Sequence, residues 1–227
     1  MNMVFSQPLF YIFFIYGASF LVMSYVVFHG IRNASAITLV TTYYALALFG
    51  LTHGTTELID WIRFIVKITG NGEIEILKYL SQIFLIISFV VLLQFGVDLL
   101  TYRNENKRAF RLIPGILFLV FIVVLLIIKT NDIAKAGLIA RHSFGFSGAL
   151  LSGIALCSLA NSMKAAVDSK VIKGLLVTAI SFGVYAVVGG LIIQPIVGLP
   201  IQLFRAACAL TIAISSFYIL GIFKASE

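Results

Sequence analysis

The stretch FRLIPGILFLVFIVVLLIIK, residues 110–129, decides the fold. Between Arg111 and Lys129 no residue carries a charge. Apolar side chains follow one another without alternation. A membrane strand would alternate apolar and polar residues in units of about ten. A continuous run near 20 residues instead matches a helix crossing the hydrocarbon core.

Working outward, the same pattern returns at 9–28, 37–60, 76–101, 139–161, 171–193 and 200–223. Each run approaches the length that spans a bilayer. Buried in lipid, backbone groups must bond within the segment, which favours helices. The expected fold is therefore all-α: one domain, 1–227, of seven transmembrane helices. Gly70-Asn71-Gly72 and the Pro195, Gly198, Pro200 cluster punctuate the connections. Pro114 stands early in the fourth segment, where a helix tolerates it. No internal repeat is evident.

Composition agrees. The 227 residues are 61% hydrophobic and 11% charged, with mean hydropathy +1.09. A soluble domain commonly carries about 25% charged residues. Lipid is the expected solvent, and no sizeable soluble domain is left over. The net charge of +7 is no sign of nucleic acid, because the basic residues flank membrane segments. Cys157 and Cys208 lie inside apolar runs and read as small core residues. No Lys or Arg precedes the first run and no cleavage site ends it, so it is expected to stay as a helix.

Loop charges set the expected orientation. Arg103, Lys107, Arg108 and Arg111 form the densest basic patch. Threading puts Arg32, Lys164, Lys170, Lys173 and Lys224 on the same side. Placed in the cytoplasm, this patch leaves the N-terminus outside and the C-terminus inside. The localisation expected is the inner, cytoplasmic membrane.

The same threading brings His53, Glu57, Arg141, His142, Gln202 and Arg205 toward one face, from helices 2, 5 and 7. Ionisable groups in hydrocarbon cost about 2.5–3.5 kcal/mol each on insertion scales. Gly50, His53, Glu57 and Asp60 share one face of the second helix, at offsets of three, four and three. Glu57 needs a cation or a proton, and Arg141 and Arg205 are the cations at its depth. Arg suits a carboxylate because its planar fork binds both oxygens.

Three readings of this cluster compete. The favoured one is a site for a small acidic, quinone-like or lipid ligand. Two Arg and two His outnumber Glu57 and leave spare donors. The second is an interhelical salt bridge that binds nothing. The third is a haem or divalent-metal site on His53, His142 and Glu57, for redox sensing or electron transfer. A lipid-acting enzyme with Glu57 or His53 as base is a further alternative, but no catalytic motif names one. A retinal protein would need a mid-membrane lysine, which the seventh segment lacks. A secondary transporter would show paired repeats with broken helices, and neither is evident.

Elsewhere the bland readings prevail. Gly145, Ser147, Gly148, Ala149, Ser152 and Gly153, and then Ser181, Gly183, Tyr185, Gly189 and Gly190, are read as close-packing surfaces. Phe10, Tyr11, Phe13, Phe14, Tyr43 and Tyr44 are assigned mostly to the lipid-facing belt, with Trp61 as an interfacial anchor. Asp98 is expected to pair with the basic loop beside it, and His29 to be solvated.

Phe49-Gly50-Leu51-Thr52-His53-Gly54, with Glu57 and Trp61, resembles the F-G-L-x-H-G-x-x-E signature. That signature belongs to seven-helix N-terminal sensor modules of bacterial membrane histidine kinases and diguanylate cyclases. Gly198-Leu199-Pro200-Ile201-Gln202-Leu203-Phe204-Arg205 resembles the G-x-P-x-Q-x-x-R entry to their last helix. The resemblance implies a sensory input module whose last helix continues into a cytoplasmic output. This chain ends at Glu227 without such an output, which leaves a truncated or a stand-alone relative as expectations. A homodimer is expected only by analogy with dimeric kinases.

Overall fold

The computed structural model describes residues 7–32, 37–70, 72–129 and 132–219. They form seven long helices: α1 Pro8–Ile31, α2 Ile37–Ile68, α3 Glu75–Leu100, α4 Lys107–Ile127, α5 Ile133–Met163, α6 Ser169–Leu191 and α7 Ile201–Ile219. Among the described residues the only bridge-type pairing is the isolated Ile196–Leu199 turn. Six of the helices are long and apolar enough to cross a bilayer. The other is α2, at 32 residues the longest, which carries Glu57, Asp60, Arg63 and Lys67. The chain is an all-α, multi-pass membrane bundle. Lys224 and the end of the last expected span lie outside the described residues, as does Asn71.

Local chemistry explains several boundaries. Pro8 opens α1 in its first turn, where the missing N–H costs nothing. Asp132 and Asp168 cap α5 and α6 by accepting from the backbone N–H groups of Ala134 and Lys170, at 2.9 and 2.7 Å. In α4 the helix loosens at Arg111–Leu112, just ahead of Pro114. Between α6 and α7 the chain reverses in a two-residue turn at Val197 and Gly198, with φ of 50° and 74°. Two positive φ values match the twist of a hairpin turn, which Gly198 adopts freely and Val197 does not.

Second-helix length differs from expectation. The sequence reading ends it at residue 60, but α2 runs on to Ile68. Its polar end is held by protein contacts rather than left to water. Asp60 accepts from Ser81 Oγ of α3 at 2.7 Å and from Arg63 Nη1 at 2.6 Å, and Arg63 also pairs with Glu73.

Packing follows a closed ring: α1 on α2, α2 on α3, α3 on α5, α5 on α6, α6 on α7, and α7 back onto α1. The α1–α2 seam is tight because Gly17 and Gly54 face each other. A Cβ on Gly54 would lie 2.9 Å from the Gly17 carbonyl oxygen. Likewise a Cβ on Gly148 would meet the Leu93 backbone nitrogen at 2.8 Å, so α5 lies against α3. Without a hydrophobic drive between helices in lipid, such close contact is what holds them. Within the small-residue stripes read from the sequence, Gly148, Gly153 and Gly190 are close-packing contacts, whereas a Cβ on Gly183 would meet open space.

Outside the ring stands α4. It touches α3, and Phe121 meets Phe144 of α5 at 5.3 Å. Most of its apolar side chains face outward, Leu119, Leu126 and Ile127 among them.

Asp98 does pair with the basic loop, accepting from Arg111 Nε at 3.1 Å. Tyr43 is not a belt residue: it is fully buried, with its ring 5.7 Å from Phe95, while its neighbour Tyr44 is exposed. The reason is helical phase, since Tyr43 shares the inward stripe with Leu46, Gly50 and His53.

Candidate functional site

His53 sits at the centre of the ring and has no solvent exposure. Its Nδ1 lies 2.8 Å from Ser88 Oγ of α3. Its Nε2 lies 2.7 Å from Tyr185 Oη of α6 and 3.3 Å from Tyr16 Oη of α1. The two tyrosine hydroxyls are 2.8 Å apart. Four helices are thereby tied to one imidazole.

Donor counting gives this network a direction. Ser88 Oγ donates its single hydrogen to the Leu85 carbonyl at 2.7 Å, so toward His53 it can only accept. His53 therefore carries its proton on Nδ1, a tautomer assigned from the bonding pattern. With Nε2 as acceptor, Tyr185 donates to it. Having spent its hydrogen there, Tyr185 accepts from Tyr16. The chain runs Tyr16 to Tyr185 to His53 to Ser88 to the Leu85 carbonyl, and every hydroxyl hydrogen in it is used.

Aromatic rings enclose the network. Phe20, Phe49 and Phe89 stand 4.8, 5.2 and 5.3 Å from the imidazole. They exclude water, so each hydrogen bond inside is stronger and each lost partner more costly.

One turn along α2 from His53 is Glu57, only 4% exposed. Its Oε1 lies 3.7 Å from His53 Nε2, and no described group donates a hydrogen bond to it. Arg141 and Arg205 are both within electrostatic reach of Glu57. Neither forms the direct ion pair that the sequence reading expects.

The guanidiniums bind backbone instead. Arg205 donates from Nε to the Val188 carbonyl at 2.8 Å and from Nη2 to that of Ile192 at 2.7 Å. Arg141 donates from Nη1 to the Gly189 carbonyl at 2.8 Å and lies over the Phe89 ring at 5.5 Å. The Val188 and Gly189 carbonyls belong to the π turn Ala186–Leu191 that ends α6, and Ile192 is the extended residue just after it. A second π turn occupies Arg141–Gly145 of α5, and the two turns touch. Phe146 N reaches back five residues to the Arg141 carbonyl, and Ile192 N to that of Val187. Wider winding displaces carbonyls from the ordinary ladder and makes them available to cations. Gly190 permits the contact, since a Cβ there would stand 2.6 Å from Phe146 Cα.

These π turns qualify the expectation of unbroken helices. They also explain why the arginines turn away from Glu57: freed carbonyls lie closer than the carboxylate. Arg141 Nε and Nη2 and Arg205 Nη1 keep donors that no described residue uses. None of them is among the fully enclosed, partnerless polar atoms of the described residues, as Trp61 Nε1 and Arg63 Nε are.

Of the six expected site residues, the structure groups His53, Glu57, Arg141 and Arg205. His142 is exposed on the α5 π turn, turned away from the cluster, and Gln202 is half-buried in the first turn of α7. Neither makes a side-chain hydrogen bond within the described residues. Tyr16, Ser88 and Tyr185 were missed as site members. Tyr16 had a legible signal, because it shares an inward stripe with Phe20, Met23 and Val27 and its hydroxyl needs a partner. Ser88, one hydroxyl in a long apolar run, had none.

Haem or metal ligation fits these residues poorly. Both ring nitrogens of His53 are engaged by hydroxyls, and two guanidiniums flank the site. Among the described residues no three His, Cys, Asp or Glu side chains converge.

Fold and site together define a polytopic membrane bundle with a buried His–Tyr core beside a cationic pair of π turns. No protein-family model, no curated protein and no solved structure matches the chain.

Proposed function

We propose that this protein is a membrane sensory or receptor module. A small acidic, quinone-like or lipid ligand binds between α2, α5 and α7, at Glu57, Arg141 and Arg205. The observation that carries this is the pair of guanidiniums with unused donors, anchored on π-turn carbonyls and unpaired with Glu57. A structural salt bridge would have closed that pair. Spare donors in a low-dielectric setting suit a carboxylate, phosphate or carbonyl oxygen.

Binding exchanges guanidinium–carbonyl contacts for guanidinium–ligand contacts. Arg205 stands one turn into α7, so its shift moves that helix and whatever follows it. A ligand achieves this only through differential affinity for the two arrangements. The motif resemblance supports the same reading, with the inner membrane as location, the N-terminus outside and a cytoplasmic output beyond α7. Homodimerisation belongs to this proposal by the same analogy.

Native mass spectrometry of protein extracted in mild detergent tests it. The probes are palmitate, a short-chain ubiquinone and succinate. One of them, or a co-purifying acid, is expected to bind the wild-type chain and to be lost from Arg205→Gln. Equal retention by the folded Arg205→Gln variant would sink the reading. A haem or metal adduct lost on His53→Ala would replace it with the redox alternative.

A further inference from the structure

A second site lies at the opposite ends of α6 and α7. There a cleft of about 290 Å³ opens between the helices, lined by Lys170, Lys173, Val177, Thr211, Ile214 and Tyr218. We propose that it binds one anionic phospholipid, with the acyl chain along the α6–α7 groove and the headgroup phosphate on Lys170 and Lys173.

The walls are apolar where a chain would lie. Val177, Ile214 and Tyr218 are large, exposed and continuous along the cleft. The polar atoms of the floor are consumed internally. Thr178 Oγ1 lies 2.6 Å from Ser215 Oγ, and the two hydroxyls also reach the Gly174 and Thr211 carbonyls of their own helices. Gly174 sets the depth: a Cβ there would stand 2.8 Å from Tyr218 Cβ. Thr211 Oγ1 likewise donates to the Ala207 carbonyl, so the Tyr218 hydroxyl is the main polar group left along the groove.

At the mouth the chemistry reverses. Lys170 and Lys173 lie in the first turns of α6, both exposed, and neither has an ion pair among the described residues. Lys164, in the preceding loop, adds a third cation nearby. Among the described residues the only acid in this region, Asp168, caps α6. An apolar slot ending in two free ammonium groups is complementary to an amphiphile with an anionic head. Basic pockets between membrane helices recognise lipid headgroups in this way. The occupant is a lipid rather than a free phosphate, because the cleft is open to the bilayer and its wall is almost wholly apolar.

This site is independent of the proposed ligand site, and its test reads a different quantity. Delipidated protein is titrated with palmitoyl-oleoyl phosphatidylglycerol and with the matching phosphatidylcholine, and bound lipid is counted by native mass spectrometry. Two lysines predict roughly a 30-fold preference for the anionic lipid. Lys170→Gln/Lys173→Gln is expected to remove most of it. Lys129→Gln/Lys135→Gln, at other helix ends, is expected to keep it. Val177→Trp, which fills the groove, should lower binding of both lipids. Inorganic phosphate at millimolar concentration should not displace the bound lipid. Equal affinity for the two lipids overturns the proposal. So does a preference that survives in Lys170→Gln/Lys173→Gln, or one that falls equally in Lys129→Gln/Lys135→Gln. Displacement by inorganic phosphate overturns it too, in favour of a simple anion site.

Discussion

Two polar systems lie side by side in this bundle, and they are built differently. Around His53 every hydroxyl hydrogen has a partner and aromatic rings seal the perimeter. Around Arg141 and Arg205 the partners are carbonyls released by irregular winding, donors remain unused, and Glu57 sits close but unbonded. A closed network holds helices together, because breaking any link strands a polar group in low dielectric. An open one is held by contacts that can be exchanged. Polar residues of one membrane bundle thus form a closed lock or an open, exchangeable set, according to whether their bonding is complete.

The largest test of that comparison is His53→Leu. It leaves Ser88, Tyr185 and Tyr16 without their shared partner and should cost about 3–5 kcal/mol, read as loss of thermal stability in detergent. A cost under about 1 kcal/mol would mean the network is not the lock described.

Smaller, and more discriminating, is the pair Tyr185→Phe and Tyr16→Phe. Tyr185 both donates and accepts, so its loss should cost about 2 kcal/mol. Tyr16 stands at the head of the chain, so its loss should cost about 1 kcal/mol. The reverse order would put Tyr16 rather than Tyr185 in the middle of the chain.

Arg205→Gln comes next, at about 1 kcal/mol in stability. It loses two hydrogen bonds but relieves the burial of a charge. The comparison requires this variant to be milder than His53→Leu in unfolding while more damaging to ligand binding.

The smallest effect belongs to the latch between Arg63 and Glu73, at the far end of α2. The hydrogen bond from Arg63 holds the Glu73 carboxyl below its usual range. A depressed acid contributes stability that is present above its unfolded value and lost as pH falls through the folded one. Glu73→Gln should therefore lower stability slightly at neutral pH and flatten its decline below about pH 4. Screening at this exposed pair keeps the change small.

Much of the fold was legible because a membrane simplifies the reading. Long apolar runs such as 110–129 have one common outcome in lipid, and the helices appear where those runs lie. His53 and Glu57 were legible because a charge in such a run is conspicuous. The stripe on α2 was also read in correct phase, although Tyr43, on that same stripe, was assigned to the belt. Ser88 and Tyr185 were not legible as site members. A hydroxyl is cheap to insert, and nothing local says which one will face an imidazole on another helix.

The sequence by itself determined seven helices, most of their approximate ends, and the inward turn of His53, Glu57 and Arg205 though not of His142, because hydrocarbon penalises the alternatives residue by residue. Tertiary structure alone decided the ring with α4 outside it, the direction of the His53 network, and the choice of carbonyl over carboxylate by Arg141 and Arg205. Those depend on π turns that form where α5 and α6 press together at Gly190, a contact between residues far apart in the chain. No local propensity encodes it, since its energy exists only once both helices are in place.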